Sequence, residues 1–155
     1  MPNDKFTVIR DTSEKKGWYF PETDSCAGMV EGNLYTGDYT IVGAENKVII
    51  ERKGSVSEFA ININQPRFED ELKRLEDFDI PVLIAEFSFA EIMRFPDGLP
   101  EKVKSQIKVT PSFIIKKIAE YQTTYKTKIL FCNDKFGAFT MARSILKRAY
   151  EKYIK

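Results

Sequence analysis

The 155-residue sequence predicts an α/β fold, a central mixed β-sheet flanked by helices. Three observations point there. Short β-branched runs alternate with longer stretches of helical periodicity. Residues 81–87, Pro-Val-Leu-Ile-Ala-Glu-Phe, are almost continuously apolar, as in a strand covered on both faces and paired in parallel. Residues 34–42 and 48–53 are adjoining strand-like runs separated by the polar stretch Gly43-Ala44-Glu45-Asn46, which reads as a turn.

Taken in order, residues 5–10 (Lys-Phe-Thr-Val-Ile-Arg) form a first strand that runs into the charged segment Asp11-Thr12-Ser13-Glu14-Lys15-Lys16. Residues up to the hairpin, with Gly17, Trp18, Pro21 and Gly28, read as a loop. After the hairpin, residues 55–62 suit a short helix opened by Ser55 or Ser57. Residues 67–78 are helical, with Phe68, Leu72 and Leu75 at i, i+4 and i+7. The buried strand 81–87 follows, then a helical turn or two at 89–95 and an irregular insertion at 96–110 with Pro96, Gly98 and Pro100. Residues 111–125 form a helix with Ile114, Ile118 and Tyr121 on one face. Residues 128–132 are a short strand, and Asn133 or Asp134 caps a last helix reaching about Tyr153. No internal repeat or linker divides the chain, so residues 1–155 are expected to form one domain.

Composition narrows the chemistry. With 30% charged and 43% hydrophobic residues the chain has the balance of a globular protein. Lys+Arg 24 against Asp+Glu 23 leaves no bulk charge to hold a polyanion, so nucleic-acid binding would need a local basic patch. The absence of histidine excludes Ser-His-Asp and Cys-His catalysis and histidine metal ligands. Acids, lysine and a metal remain as a hydrolytic kit. Cys26 and Cys132 have no zinc or redox spacing. No apolar run reaches membrane-spanning length, and Met-Pro-Asn-Asp is no signal peptide; a membrane partner is not expected, and a reducing, cytoplasmic compartment is.

The hairpin carries the most informative residues. If Ala44-Glu45 is a two-residue loop, Asp38 falls opposite Glu51, and Lys53 projects from the same face as Glu51. Opposed side chains have Cβ atoms about 5 Å apart, where like charges repel. Two acids so placed call for a cation between them. Tyr39, Ile41, Val48 and Ile50 then share the other face, against a core. A carboxylate pair beside a lysine suits metal-assisted phosphodiester hydrolysis. By spacing alone the same trio also fits a solvated hairpin face on which Lys53 pairs with Glu51. Asp11 and Glu14 are further oxygen ligands or simply loop acids. Arg10, Lys15, Lys16 and Arg67 are candidate phosphate contacts. Trp18, Tyr19 and Phe20 either stack on bases or enter the core. The last helix, with Arg143, Lys147, Arg148, Lys152 and Lys155, is basic on balance and complements its own C-terminal dipole.

In this order the residues resemble the nuclease domain of the xeroderma pigmentosum group F (XPF) family, within the restriction-endonuclease-like superfamily. The likeness rests on a first strand followed by Asp11 and Glu14, on Gly37-Asp38-Tyr39, and on Glu51-Arg52-Lys53. It continues with Glu58, one residue late because of Gly54, with the stretch Arg67 to Glu71 and Leu75, with strand 82–87 and with the closing strand and helix. The resemblance covers essentially the whole chain. It implies a Mg²⁺- or Mn²⁺-dependent endonuclease acting on DNA in repair or recombination, with flap, fork or junction preference left open. Asp38 and Glu51 would be the principal metal ligands, assisted by Asp11 or Glu14. Lys53 would orient or activate the attacking water and stabilise the charge that develops. Arg52, on the opposite strand face, is a site candidate through the resemblance and otherwise structural. Arg10, Lys15 and Arg67 would contact DNA. A homodimer formed through this domain is also implied. With 155 residues there is no room for the helicase or tandem helix-hairpin-helix modules of the family. The alternatives are a catalytically inactive DNA- or partner-binding subunit on the same fold, or a nuclease acting on RNA or from strand ends.

Overall fold

The computed structural model describes residues 4–155, so Met1 to Asn3 of the N-terminal reading lie outside the described residues. A six-stranded sheet organises the chain. Its strands are β1 (Phe6–Asp11), β2 (Cys26–Gly32), β3 (Tyr39–Ile41), β4 (Val48–Lys53), β5 (Ile80–Ala85) and β6 (Lys128–Phe131), in the order β2-β1-β3-β4-β5-β6. β1 runs parallel to β2 and antiparallel to β3, β3 antiparallel to β4, and β4, β5 and β6 mutually parallel, so the sheet is mixed.

Alternation along the strands separates two cores. Val8, Tyr39, Ile41, Val48, Ile50, Val82 and Ile84 face one side, where α6 (Lys135–Tyr153) covers them with Ala138, Ala142, Leu146 and Ala149. The small alanines let this helix lie close to the sheet. Asp134 caps it, its Oδ1 accepting from the Gly137 amide at 2.7 Å. Ile49, Leu83 and Ala85 face the other side, under α1 (Val56–Asn62), α2 (Pro66–Leu75), α3 (Phe89–Met93) and α5 (Pro111–Thr124). A single helical turn, α4 (Glu101–Lys104), interrupts the irregular insertion. β5 is buried on both faces and parallel to both neighbours, as its apolar run requires.

Helix starts follow their caps. Ser55 opens α1 by accepting from the Glu58 amide at 3.3 Å. Pro66 stands in the first turn of α2, whose Phe68, Leu72 and Leu75 are buried. Thr110 opens α5, and Pro111 starts it.

Two local expectations are corrected. The stretch 26–32, read as loop, is edge strand β2. Its Gly28 and Gly32 dilute any alternation, and its extended form is stabilised by the parallel ladder with β1. The expected strand 34–42 shrinks to three residues, and β3 joins β4 through residues 42–47 rather than a two-residue turn. Within that connection Ala44 and Lys47 donate to the Ile41 and Ala44 carbonyls, and Thr40 Oγ1 donates to the Val48 carbonyl at 2.6 Å. The register is nevertheless the expected one: Tyr39 pairs with Ile50, which sets Asp38 beside Glu51.

Candidate active site

The site forms where β4 leaves the sheet. Gly37 is the local device that aims Asp38 at it. Its φ of +81° is a left-handed conformation, and an added Cβ would lie 2.6 Å from Ile49 Cδ1. The bend places the Asp38 amide on the Ile50 carbonyl at 2.8 Å and its Oδ2 on the Arg52 amide at 2.7 Å. Glu51 and Lys53 project from the next two same-face positions of β4. Lys53 Nζ lies 3.2 Å from Glu51 Oε2, 3.3 Å from Glu71 Oε1 of α2, and 5.3 Å from the centre of the Phe68 ring.

Arg52 points to the opposite face yet reaches the same opening. Its Nε donates to Glu86 Oε2 at 2.8 Å and its Nη2 to Glu86 Oε1 at 3.2 Å, while Nη1 lies 3.4 Å from Glu14 Oε1. Trp18 Nε1 donates to the same Glu86 oxygen at 2.7 Å. A cavity of about 410 Å³ opens here, lined by Glu14, Lys16, Asp38, Glu51, Arg52, Lys53 and Glu58 among others.

The electrostatics are those of a crowded acid cluster. Burial pushes the Asp38 carboxyl up to about 7; the Arg52 amide opposes this, and the charges of Glu14 and Glu71 add to it. Burial, with Asp38 and Glu71 as neighbours, raises Glu51 well above the usual carboxylate range. For Lys53 burial works against the charge, but Glu51 and Glu71 outweigh it, so the lysine is held above its ordinary value and stays a cation. Two buried oxygens, Glu14 Oε2 and Glu71 Oε1, have no hydrogen-bond donor; the second has only its ion pair with Lys53.

The residues expected from sequence divide into groups. Asp38, Glu51, Arg52, Lys53 and Glu14 meet in the cavity. Asp11 does not join them. Its Oδ1 accepts from the Leu34 amide at 2.8 Å, and its Oδ2 accepts from the Ser13 amide and hydroxyl. Partial burial would raise its carboxyl, but these donors outweigh it and hold it below the ordinary value. Asp11 thus ties the strand end to the following loop, and of the two N-terminal acids it is Glu14 that faces the cavity. Arg10 pairs with Glu31 at 2.9 Å, away from the cavity, and Lys15 is an exposed loop residue. Arg67 lines a neighbouring cavity of about 250 Å³ with Lys53, Asn62, Glu71 and Arg74. Of the aromatic trio, Trp18 and Phe20 are core residues and Tyr19 is exposed. Glu86 was not anticipated. A lone carboxylate inside the apolar run 81–87 was the available signal, since burial there demands a charged partner.

Asp38, Glu51, Glu14 and Glu71 have the hard-oxygen chemistry that Mg²⁺ or Mn²⁺ prefers, and the donorless Glu14 oxygen and raised Asp38 are compatible with a divalent cation. Among the described residues no three acidic or thiol groups converge into a ready cage.

A family model described as the ERCC4 domain matches residues 11–139. Among solved structures, XPF from Aeropyrum pernix is similar at 19% identity and a TM-score of 0.62, over 92% of this chain and 66% of that one. The same protein in complex with DNA is similar at 18% identity and a TM-score of 0.63, over 96% of this chain and 66% of that one. At this identity the likeness speaks for a shared α/β fold, and this chain spans just under two thirds of those chains. No curated protein matches.

Proposed function

Since the chain belongs to the ERCC4 domain family, as an XPF-type nuclease domain, we propose that it is a Mg²⁺- or Mn²⁺-dependent endonuclease that hydrolyses phosphodiester bonds in DNA. The observation that carries this reading is the pairing of a raised, buried acid couple, Asp38 and Glu51, with a lysine held cationic in the same cavity. The archaeal XPF solved in complex with DNA supports a DNA partner here.

Asp38 and Glu51 would hold the metal, with Glu14 supplying a further oxygen. When bound, such an ion polarises a phosphate oxygen and acidifies a water. Lys53 is suited to offsetting the charge that develops on the phosphate rather than to accepting a proton, because its acidic neighbours keep it protonated. A cluster carboxylate not engaged by the ion would be the group left to accept the water's proton. Arg52 is committed to Glu86 and Glu14, so it fixes the cavity wall and the position of Glu14. Arg67 and Arg74, in the adjoining cavity, are placed to meet phosphates flanking the scissile one. Residues 1–155 act as a single nuclease domain in this reading, and a homodimer formed through it is part of the same proposal.

A cleavage panel tests it: duplex, single strand, flap, fork and four-way junction, each with Mg²⁺, Mn²⁺ or EDTA. Metal-dependent cutting is expected, with Asp38→Asn and Lys53→Ala folded but inactive. Undiminished cutting by both variants contradicts the assignment. No cutting of any substrate favours the alternative, an inactive DNA- or partner-binding subunit.

A further inference from the structure

The segment from Glu14 to Tyr19 has two sides. Glu14 and Lys16 line the catalytic cavity. Gly17, Trp18 and Tyr19 line a second, largely apolar cavity of about 490 Å³, completed by Lys135, Phe136 and Phe139 of α6. One short wall therefore separates the two, and it is firmly held. Lys135 Nζ donates to the Lys16 carbonyl at 3.1 Å. The Trp18 amide donates to the Tyr39 hydroxyl at 2.6 Å, and its indole is held by Glu86, the partner of Arg52.

Two large rings at this second cavity are open to solvent, Tyr19 at 68% and Phe136 at 76% exposure. Phe139 forms the floor, 5.0 Å from Phe20, and carries Arg143 at 5.3 Å above its ring. Of the exposed cations, Lys135 lines it, Arg143 stands over Phe139, and Lys16 directly precedes its Gly17. The nearby carboxylate, Asp134, is engaged in capping α6. Exposed rings interleaved with cations, one short wall away from a cavity suited to phosphodiester chemistry, match what unpaired nucleic acid needs: π-faces for bases and cations for phosphates. The chain has a formal net charge of only +1, so this local concentration of cations is notable.

We propose that this ledge takes an unpaired segment of the DNA strand leading out of the catalytic cavity. Its bases stack on Tyr19 and Phe136, and its phosphates meet Lys16, Lys135 and Arg143. The inference rests on the endonuclease reading, and what it adds is the place on this chain where unpaired bases would be held.

The test is fluorescence anisotropy of the full chain in EDTA with three labelled DNAs: a duplex, an oligothymidine strand, and a duplex with an oligothymidine tail. Tyr19→Ala and Phe136→Ala are each expected to weaken binding of the strand and the tailed duplex about tenfold, with duplex binding and thermal stability unchanged. Phe136→Trp is expected to keep binding at the native level. Equal loss on all three DNAs, or no loss on any, overturns the proposal. So does a shift from dimer to monomer in sedimentation with DNA binding intact, which would assign the face to a second copy of the chain. The endonuclease reading is separable. Ring-dependent strand binding without cleavage in Mg²⁺ or Mn²⁺ keeps the ledge and removes the nuclease; cleavage without ring dependence does the reverse.

Discussion

Asp38 carries the clearest conflict between stability and function. It is an acid pushed up to about 7, chiefly by burial, beside a second raised acid. An acid raised in the folded state leaves a metal-free protein most stable below its unfolded pKa, near 4. That advantage is lost as pH rises through about 7. Asp38→Asn removes the charge while its amide oxygen can still accept from the Arg52 amide. The variant should therefore be about 1–2 kcal/mol more stable than the native chain at pH 8 in EDTA, though inactive. Melting temperatures recorded from pH 4 to 8 should diverge as pH rises; parallel curves would mean that Asp38 is not the strained group. Arg52 behaves oppositely. Arg52→Met leaves Glu86 and Glu14 buried without their cation, a loss of about 3–5 kcal/mol. Urea unfolding measures it, and a loss under about 1 kcal/mol would show the clamp to be weak.

At the scale of elements, the β3–β4 pair shows what sequence patterning can and cannot carry. A two-residue loop at Ala44-Glu45 implied a register that puts Tyr39, Ile41, Val48 and Ile50 on one face; that register is observed although the loop is longer. The length of the connection was not legible, because a six-residue link and a two-residue turn can preserve the same pairing. β2 was invisible since its two glycines break periodicity and its pairing partner lies in β1. Asp11 and Glu14 could not be ranked from sequence. Their difference comes from the Leu34 and Ser13 donors, which depend on how the loop after β2 returns to β1. Glu86 needed the parallel β4–β5 ladder to bring it to Arg52. The element-scale prediction concerns Gly37. Gly37→Ala must accept a left-handed φ and crowd Ile49, so it should cost about 2–4 kcal/mol and displace Asp38. Chemical denaturation together with the cleavage assay checks both effects; a variant with native stability and rate would remove the bend from the account.

For the whole molecule, the sheet divides labour between its faces. α6 and the first core form one side, and the helices carrying Glu71 and Arg67 form the other. β4 delivers side chains to both: Glu51 and Lys53 toward α2, and Arg52 toward Trp18 and Glu86. The cavity therefore lies at a seam between two cores, where an acid cluster can be buried without interrupting either. Such a cluster calls for a divalent cation. Isothermal titration with Mn²⁺ at pH 7 in two buffers of different ionisation enthalpy tests it most directly. Binding should be accompanied by proton release, because Asp38 must ionise fully to hold the ion, and Asp38→Asn should bind at least tenfold more weakly. No binding by the native chain, or equal binding by the variant, would contradict it.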